Sequence, residues 1–196
     1  MPHATRITLL DRVRETQVGA SWDEFYDIYS RLIHSWLTTN GVLPQDADDV
    51  CQEVMATIFE EISKFEHNGR TGAFRTWLRR ITANRMHRLW RRKQTRLAEY
   101  SGPDLSEIAD QLGQDSSRLS INWDQQHNRF VIEQLLSKLV GRFSEKSLTV
   151  FRRIVLDERP AEEVAHDVGM TLGAARVAQH RVLRALKELG SDLIEA

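Results

Sequence analysis

One cysteine, Cys51, stands in 196 residues. A single thiol excludes an internal disulfide and fits a reducing, cytoplasmic compartment. No apolar run approaches the roughly 20 residues that a membrane-spanning helix needs, so membrane insertion is not expected. The first twenty residues hold no apolar block followed by small residues, and no secretory signal is expected there. The seven histidines (His3, His34, His67, His87, His127, His166, His180) are scattered, with no pairing at metal-ligand spacing. Asp46, Asp48, Asp49 and Glu53 cluster, but without the sixth-position glycine and twelfth-position glutamate of a calcium loop. Walker loop, dinucleotide fingerprint and nucleophile elbow are all missing. The expectation is a chain with no metal, no cofactor and no enzymatic activity of its own. Cys51 reads as a small packing residue.

Net charge is also scarce, at -1, which by itself argues against a nucleic-acid binder. The distribution argues otherwise. Residues 70–97 carry ten bases (Arg70, Arg75, Arg79, Arg80, Arg85, Arg88, Arg91, Arg92, Lys93, Arg96) and no acid. Residues 171–187 carry Arg176, Arg181, Arg184 and Lys187, again with no acid, which leaves the rest of the chain at -15. Segregation of this kind predicts a polyanion held at two places and acidic surface turned toward something else.

With four prolines and ten glycines, mostly at breaks, the pattern is helical nearly throughout. Ser21 and Glu24 read as a capping box ahead of Trp22, Phe25, Ile28, Leu32, Ile33 and Trp36 at helical spacing. Asn40-Gly41 ends that helix. A second runs over about 45–65, with Val50, Val54, Ile58 and Ile62 every four residues and Asp46, Asp48 and Asp49 near the positive end of its dipole. A glycine-containing loop precedes a third helix over about 73–96. There Phe74, Trp77, Leu78 and Ile81 form an apolar stripe that next meets Arg85, Arg88 and Arg92. The buried face is therefore expected to give out halfway. Arg80, Asn84, His87 and Arg91 share one flank, where asparagine suits a base edge and arginines suit phosphates. Trp77 reads as core, while Trp90 reads equally well as a base-stacking or a shielding residue.

Residues 98–128 hold six acids and one base and read as an acidic linker with a short helix at 105–112. Helices resume at Phe130 and after Ser144. Near the end, Pro160 opens a short helix, Val168-Gly169-Met170 a turn, and Thr171 caps a helix that buries Ala175, Ala178, Val182, Ala185, Leu186 and Leu189. Its other face presents Arg176, Gln179, His180, Arg184 and Lys187, with Arg181 on the flank. That is the pattern of a helix-turn-helix whose second helix enters the major groove, with Thr171, Ala174, Arg176 and Gln179 nearest the bases. The expected fold class is all-α: a tail over 1–20, a helical domain over 21–97, the linker over 98–128 and a helix-turn-helix domain over 129–196.

Two motifs carry a resemblance to the extracytoplasmic-function (ECF) sigma factors of bacterial RNA polymerase. Asp46-Ala47-Asp48-Asp49-Val50-Cys51-Gln52-Glu53-Val54 is similar to the acidic helix that docks on the β′ clamp helices. Phe74-Arg75-Thr76-Trp77-Leu78-Arg79-Arg80-Ile81-Thr82-Ala83-Asn84, with the arginines after it, resembles the segment that melts and reads the −10 promoter element. The resemblance covers about 22–96 and 132–189. It implies core-polymerase contacts by Asp46, Asp49, Gln52 and Glu53, and −10 contacts by Arg80, Asn84, His87, Arg88, Arg91 and Arg92. It implies −35 contacts by Thr171, Ala174, Arg176, Gln179, His180, Arg181 and Arg184, and flipped-base capture by the loop at 66–73. The partners implied are core RNA polymerase (β′ clamp helices and β flap), promoter DNA and an anti-sigma factor of the sort that often controls such proteins. The linker would thread toward the active-site and RNA-exit channels. The recognition helix departs from the family, with Ala175-Arg176-Val177-Ala178 where Val-Lys-Ser-Arg is common, and Leu139-Val140-Gly141 replaces the usual Leu-Pro. A helix-turn-helix regulator with an N-terminal sensing or dimerisation domain is the alternative. An enzyme cleaving phosphodiesters with a divalent metal at the aspartate cluster is a third reading.

Overall fold

The computed structural model describes residues 9–16, 18–66, 72–96 and 104–190. Helix α1 (Leu9–Glu15) buries Leu9, Leu10 and Val13, so part of the stretch expected as a tail is a packed helix. On α2 (Ala20–Thr39), Phe25, Ile28, Tyr29, Leu32, Ile33, Trp36 and Leu37 are buried, one continuous amphipathic stripe. Its start differs from the expected capping box. Gly19, at φ 84°, is the N-cap and no side chain caps the helix, a backbone conformation that glycine adopts without a Cβ penalty. Ser21 lies inside the first turn, and Glu24 instead reaches Arg12 at 3.8 Å. At the other end Asn40 Nδ2 donates to the Trp36 carbonyl at 2.8 Å.

Pro44 opens α3 (Pro44–Glu61) at a position where its missing N–H costs nothing. The helix tightens into a 3-10 turn at Ile62–Lys64. Val50, Val54, Ile58 and Ile62 are all buried, as their spacing predicts. Helix α4 (Ala73–Arg96) has the expected bounds, and Phe74 sits at the centre of an aromatic cluster. Its ring lies 5.9 Å from Phe25, 5.3 Å from Tyr29, 5.6 Å from Phe65 and 5.7 Å from Trp77. Trp77 is thus core-facing.

The expectation that α4 loses its buried face halfway is corrected by the structure. Thr82, Ala83, Met86 and Leu89 are buried, so the stripe shifts around the helix and continues. Burial of a Met or Leu side chain stabilises by about 1.5–3 kcal/mol, enough to anchor a half that carries so many arginines.

What covers that half comes from the stretch expected as a linker. Over its described part, residues 104–128, this stretch is folded. Helix α5 (Leu105–Gly113) is capped by Asp104, which accepts from the Ser106 and Glu107 amides, and buries Leu105, Ala109 and Leu112 against α4. Helix α6 (Arg118–Ser137) begins by inserting Trp123, which meets Trp36 edge-on at 5.1 Å. Trp36 Nε1 donates to Asn122 Oδ1 at 3.2 Å.

The chain divides into two compact units, Leu9–Asn128 and, among the described residues, 129–190. In the second, Ser144 caps α7 (Glu145–Phe151), which continues as a π-helical stretch at Arg152–Leu156. Helices α8 (Ala161–Asp167) and α9 (Leu172–Gly190) follow. Among the described residues there is no strand, only an isolated bridge between Val140 and Phe143. The fold is all-α.

Candidate nucleic-acid interface

The acidic start of α3 and the basic end of α4 face each other within the first unit. Lys93 Nζ bonds to Asp46 Oδ1, and Arg92 bonds to Glu53. Arg85 Nε donates to Thr57 Oγ1 at 2.9 Å. Asp46 is only 2% exposed, so its carboxylate braces α3 to α4 and presents nothing to a partner. Glu53 is half-buried in the same brace. Asp49 and Gln52 are exposed and remain available on the outer face of α3.

Beside them a cavity of ≈ 460 Å³ opens between α2 and α3, lined by Tyr26, Ser30, His34, Asp48, Cys51 and Gln52. His34 Nε2 lies 3.2 Å from Asp48 Oδ1. Sequence reasoning did not find this cavity, although Tyr26, Ser30 and His34 on one helix and Asp48 and Gln52 on the other each recur every fourth residue. Burial, and then the charge of Asp48, push the Cys51 thiol up to about 11, and it donates to the Ser30 carbonyl at 3.4 Å. A thiol held protonated is a packing group, as expected.

On α4 the −10 candidates divide by environment. Asn84, Arg88 and Arg91 are exposed and, with His87, line an open cavity of ≈ 630 Å³ to which Trp90 and Gln94 also contribute. Gln94 was missed by the sequence reading, yet 84, 87, 91 and 94 form one helical row. Ser106 of α5 closes the far side. His87 Nε2 lies 3.2 Å from Asp110 Oδ1. Arg79, 2% exposed, bonds to Asp115, whose other oxygen lies 3.4 Å from Arg80. Arg75 reaches Asp124 at 3.1 Å and donates to Asn128 Oδ1 at 2.7 Å. Three acids of the expected linker therefore sit on bases of α4. Of the expected base-capture loop at 66–73, residues 67–71 lie outside the described residues.

In the second unit, Ala165, Ala175 and Ala178 are buried together with Val150 and Val164. Small side chains there let α8 and α9 cross closely. Gly169, at φ 66°, makes the turn between them. Thr171 Oγ1 accepts from the Ala174 amide at 3.2 Å, the N-cap expected of it. Thr171, Ala174, Arg176, His180, Arg181 and Arg184 are exposed, whereas Gln179 is half-buried on the core flank. Val177, 58% exposed, lies in the middle of that outward face and was not among the expected contacts. Its place in the row 174, 177, 181 was the available signal. Among the described residues no carboxylate pairs with Arg176, Arg181 or Arg184.

Among the described residues there is also no group of three or more His, Cys, Asp or Glu placed to hold a metal, and no helix long and apolar enough to cross a membrane. Residues 25–96, from α2 through the end of α4, match the family model of sigma-70 region 2. The first unit therefore contains a transcription-initiation module with a role in binding core RNA polymerase and in promoter melting. Residues 25–96 are thus a sigma-70 region 2 module. A search of curated proteins found no match.

Proposed function

We propose that the chain is a sigma factor of the minimal ECF class, which brings core RNA polymerase to its own promoters through −10 and −35 contacts. The observation that carries this reading is the region 2 match over residues 25–96 in a chain of 196 residues, together with a second helical unit whose α9 turns a row of arginines to solvent. Asp49 and Gln52 on α3 dock on the β′ clamp helices, and Glu53 contributes by holding Arg92. Arg80, Asn84, His87, Arg88, Arg91 and Arg92 take the −10 region, with arginines on phosphates and Asn84 on a base edge. Helix α9 reads the −35 element as duplex through Thr171, Ala174, Arg176, His180, Arg181 and Arg184, with Gln179 at its edge, while the second unit contacts the β flap. An anti-sigma factor is the regulator this class would have.

Two measurements test the reading. Asp49→Ala combined with Gln52→Ala should weaken capture of purified core polymerase while leaving helical content and Tm unchanged. Unaltered capture would remove α3 from the interface. Arg176→Ala should weaken binding of a selected −35 duplex by about 1–3 kcal/mol. An equal loss on every duplex would make Arg176 a phosphate contact instead of a reader.

A further inference from the structure

The two basic helices differ in one respect. On α9, Arg176, Arg181 and Arg184 have no carboxylate partner among the described residues. On α4, bases of the corresponding surface are already occupied by the chain's own acids: His87 by Asp110 at 3.2 Å and Arg80 by Asp115 at 3.4 Å, with Arg79 on the same Asp115. The carboxylates of Asp110 and Asp115 are each 64% exposed, so they lie at the solvent edge of the α4–α5 contact, where a phosphate would compete for the same donors.

We propose that α5, with the turn after it as far as Asp115, is a displaceable cover of the α4 DNA surface, with Asp110 and Asp115 standing in for backbone phosphates in the uncomplexed protein. The inference rests on the reading that α4 binds DNA, and goes beyond it in assigning the acidic segment an intramolecular competitor's role. Three properties of α5 suit it to release. It has nine residues, shorter than the roughly 12–15 at which an isolated helix becomes even marginal in water, so its helicity depends on α4. Its apolar hold is Leu105, Ala109 and Leu112. The chain after it is anchored independently by Trp123 against Trp36, so α5 and Asp115 together can swing about 116–117 while α6 stays seated. The Arg80–Asp115 pair, exposed on both sides, is worth little, whereas DNA phosphates also release counterions when they take its place.

Binding of a short fluorescein-labelled single-stranded DNA of mixed sequence to the full chain tests this by anisotropy. Asp110→Asn with Asp115→Asn should bind about three- to tenfold more tightly than the unaltered chain. Asparagine at 115 keeps a carbonyl oxygen for buried Arg79, and Asp110→Asn alone provides a second variant that leaves Arg79 untouched. Asp23→Asn with Asp27→Asn, exposed on α2, makes the same change in net charge and should give a smaller gain. Hydrogen exchange should accelerate in amides 105–113 of the unaltered chain when the DNA is added. Equal affinity of the two double variants, or unchanged exchange over 105–113, overturns the cover. If Arg88→Gln with Arg91→Gln leaves binding unaffected, α4 is not the DNA surface and the inference falls with that reading. If that pair weakens binding but the aspartate variants match the control, only the cover is wrong.

Discussion

His127 is enclosed in the first unit, with its ring 5.9 Å from Tyr29 and Nδ1 3.4 Å from Asn128 Oδ1. Burial first, and then the nearby charge of Arg75, lower its pKa to about 3, against a smaller upward pull from Asn128. Because the folded value lies below the ordinary 6.5, the unfolded chain takes up the proton first as pH falls. The stability that a neutral His127 contributes is complete above about pH 6.5 and is lost progressively toward pH 3. Between pH 7 and 5 that loss is about 2 kcal/mol. Urea unfolding of His127→Phe should show a correspondingly flatter pH dependence over this range, and a slope equal to that of the unaltered chain would contradict the assignment. Asp46 teaches the complementary lesson. Its place in an acidic motif pointed to a docking role, yet the helix phase turns it inward onto Lys93, while Asp49, three residues later, stays outside. Composition located the motif; only packing separated the two roles.

At the level of elements, the helices with one dominant stripe were legible, because apolar spacing alone decides their buried face. Helices α2, α3 and α9 bury the residues that their periodicity names, except that Trp22 and Leu189, at the two ends, are only half-buried. The second half of α4 and the segment 104–128 were not legible separately, because each completes the other. The α4 stripe looks abandoned at Arg85 until Met86 and Leu89 find α5, and α5 looks like linker until its acids find α4. Six acids and a Gly-Pro pair outweighed Leu105, Ala109, Leu112 and Trp123, whose spacing was the available signal. If this segment is part of the first unit, Trp123→Ala should destabilise that unit by about 3–5 kcal/mol, measured as loss of its thermal transition. A substitution within about 0.5 kcal/mol of neutral, as on an extended linker, would contradict it. Of the loop at 66–73, which the family resemblance implies for base capture, residues 67–71 lie outside the described residues.

For the whole molecule, a formal charge of -1 conceals a positive α4 and α9 and a negative remainder. Part of that remainder, Asp110, Asp115 and Asp124, is spent inside the first unit on α4 itself, and Asp46 and Glu53 are spent on its far end. What is left outward on α3, Asp49 and Gln52 among them, is the surface proposed above to meet the polymerase. Near-neutrality therefore combines internal bracing with outward charge of both signs. The central claim is that this chain, through its sigma-70 region 2 module, directs initiation, and in vitro transcription tests it most directly. Purified chain added to bacterial core RNA polymerase on a promoter library should yield discrete transcripts that depend on the chain and vanish when it is omitted. Duplex DNA binding by the chain without association with core polymerase, and without chain-dependent transcripts, would contradict the account and point to a helix-turn-helix regulator acting alone.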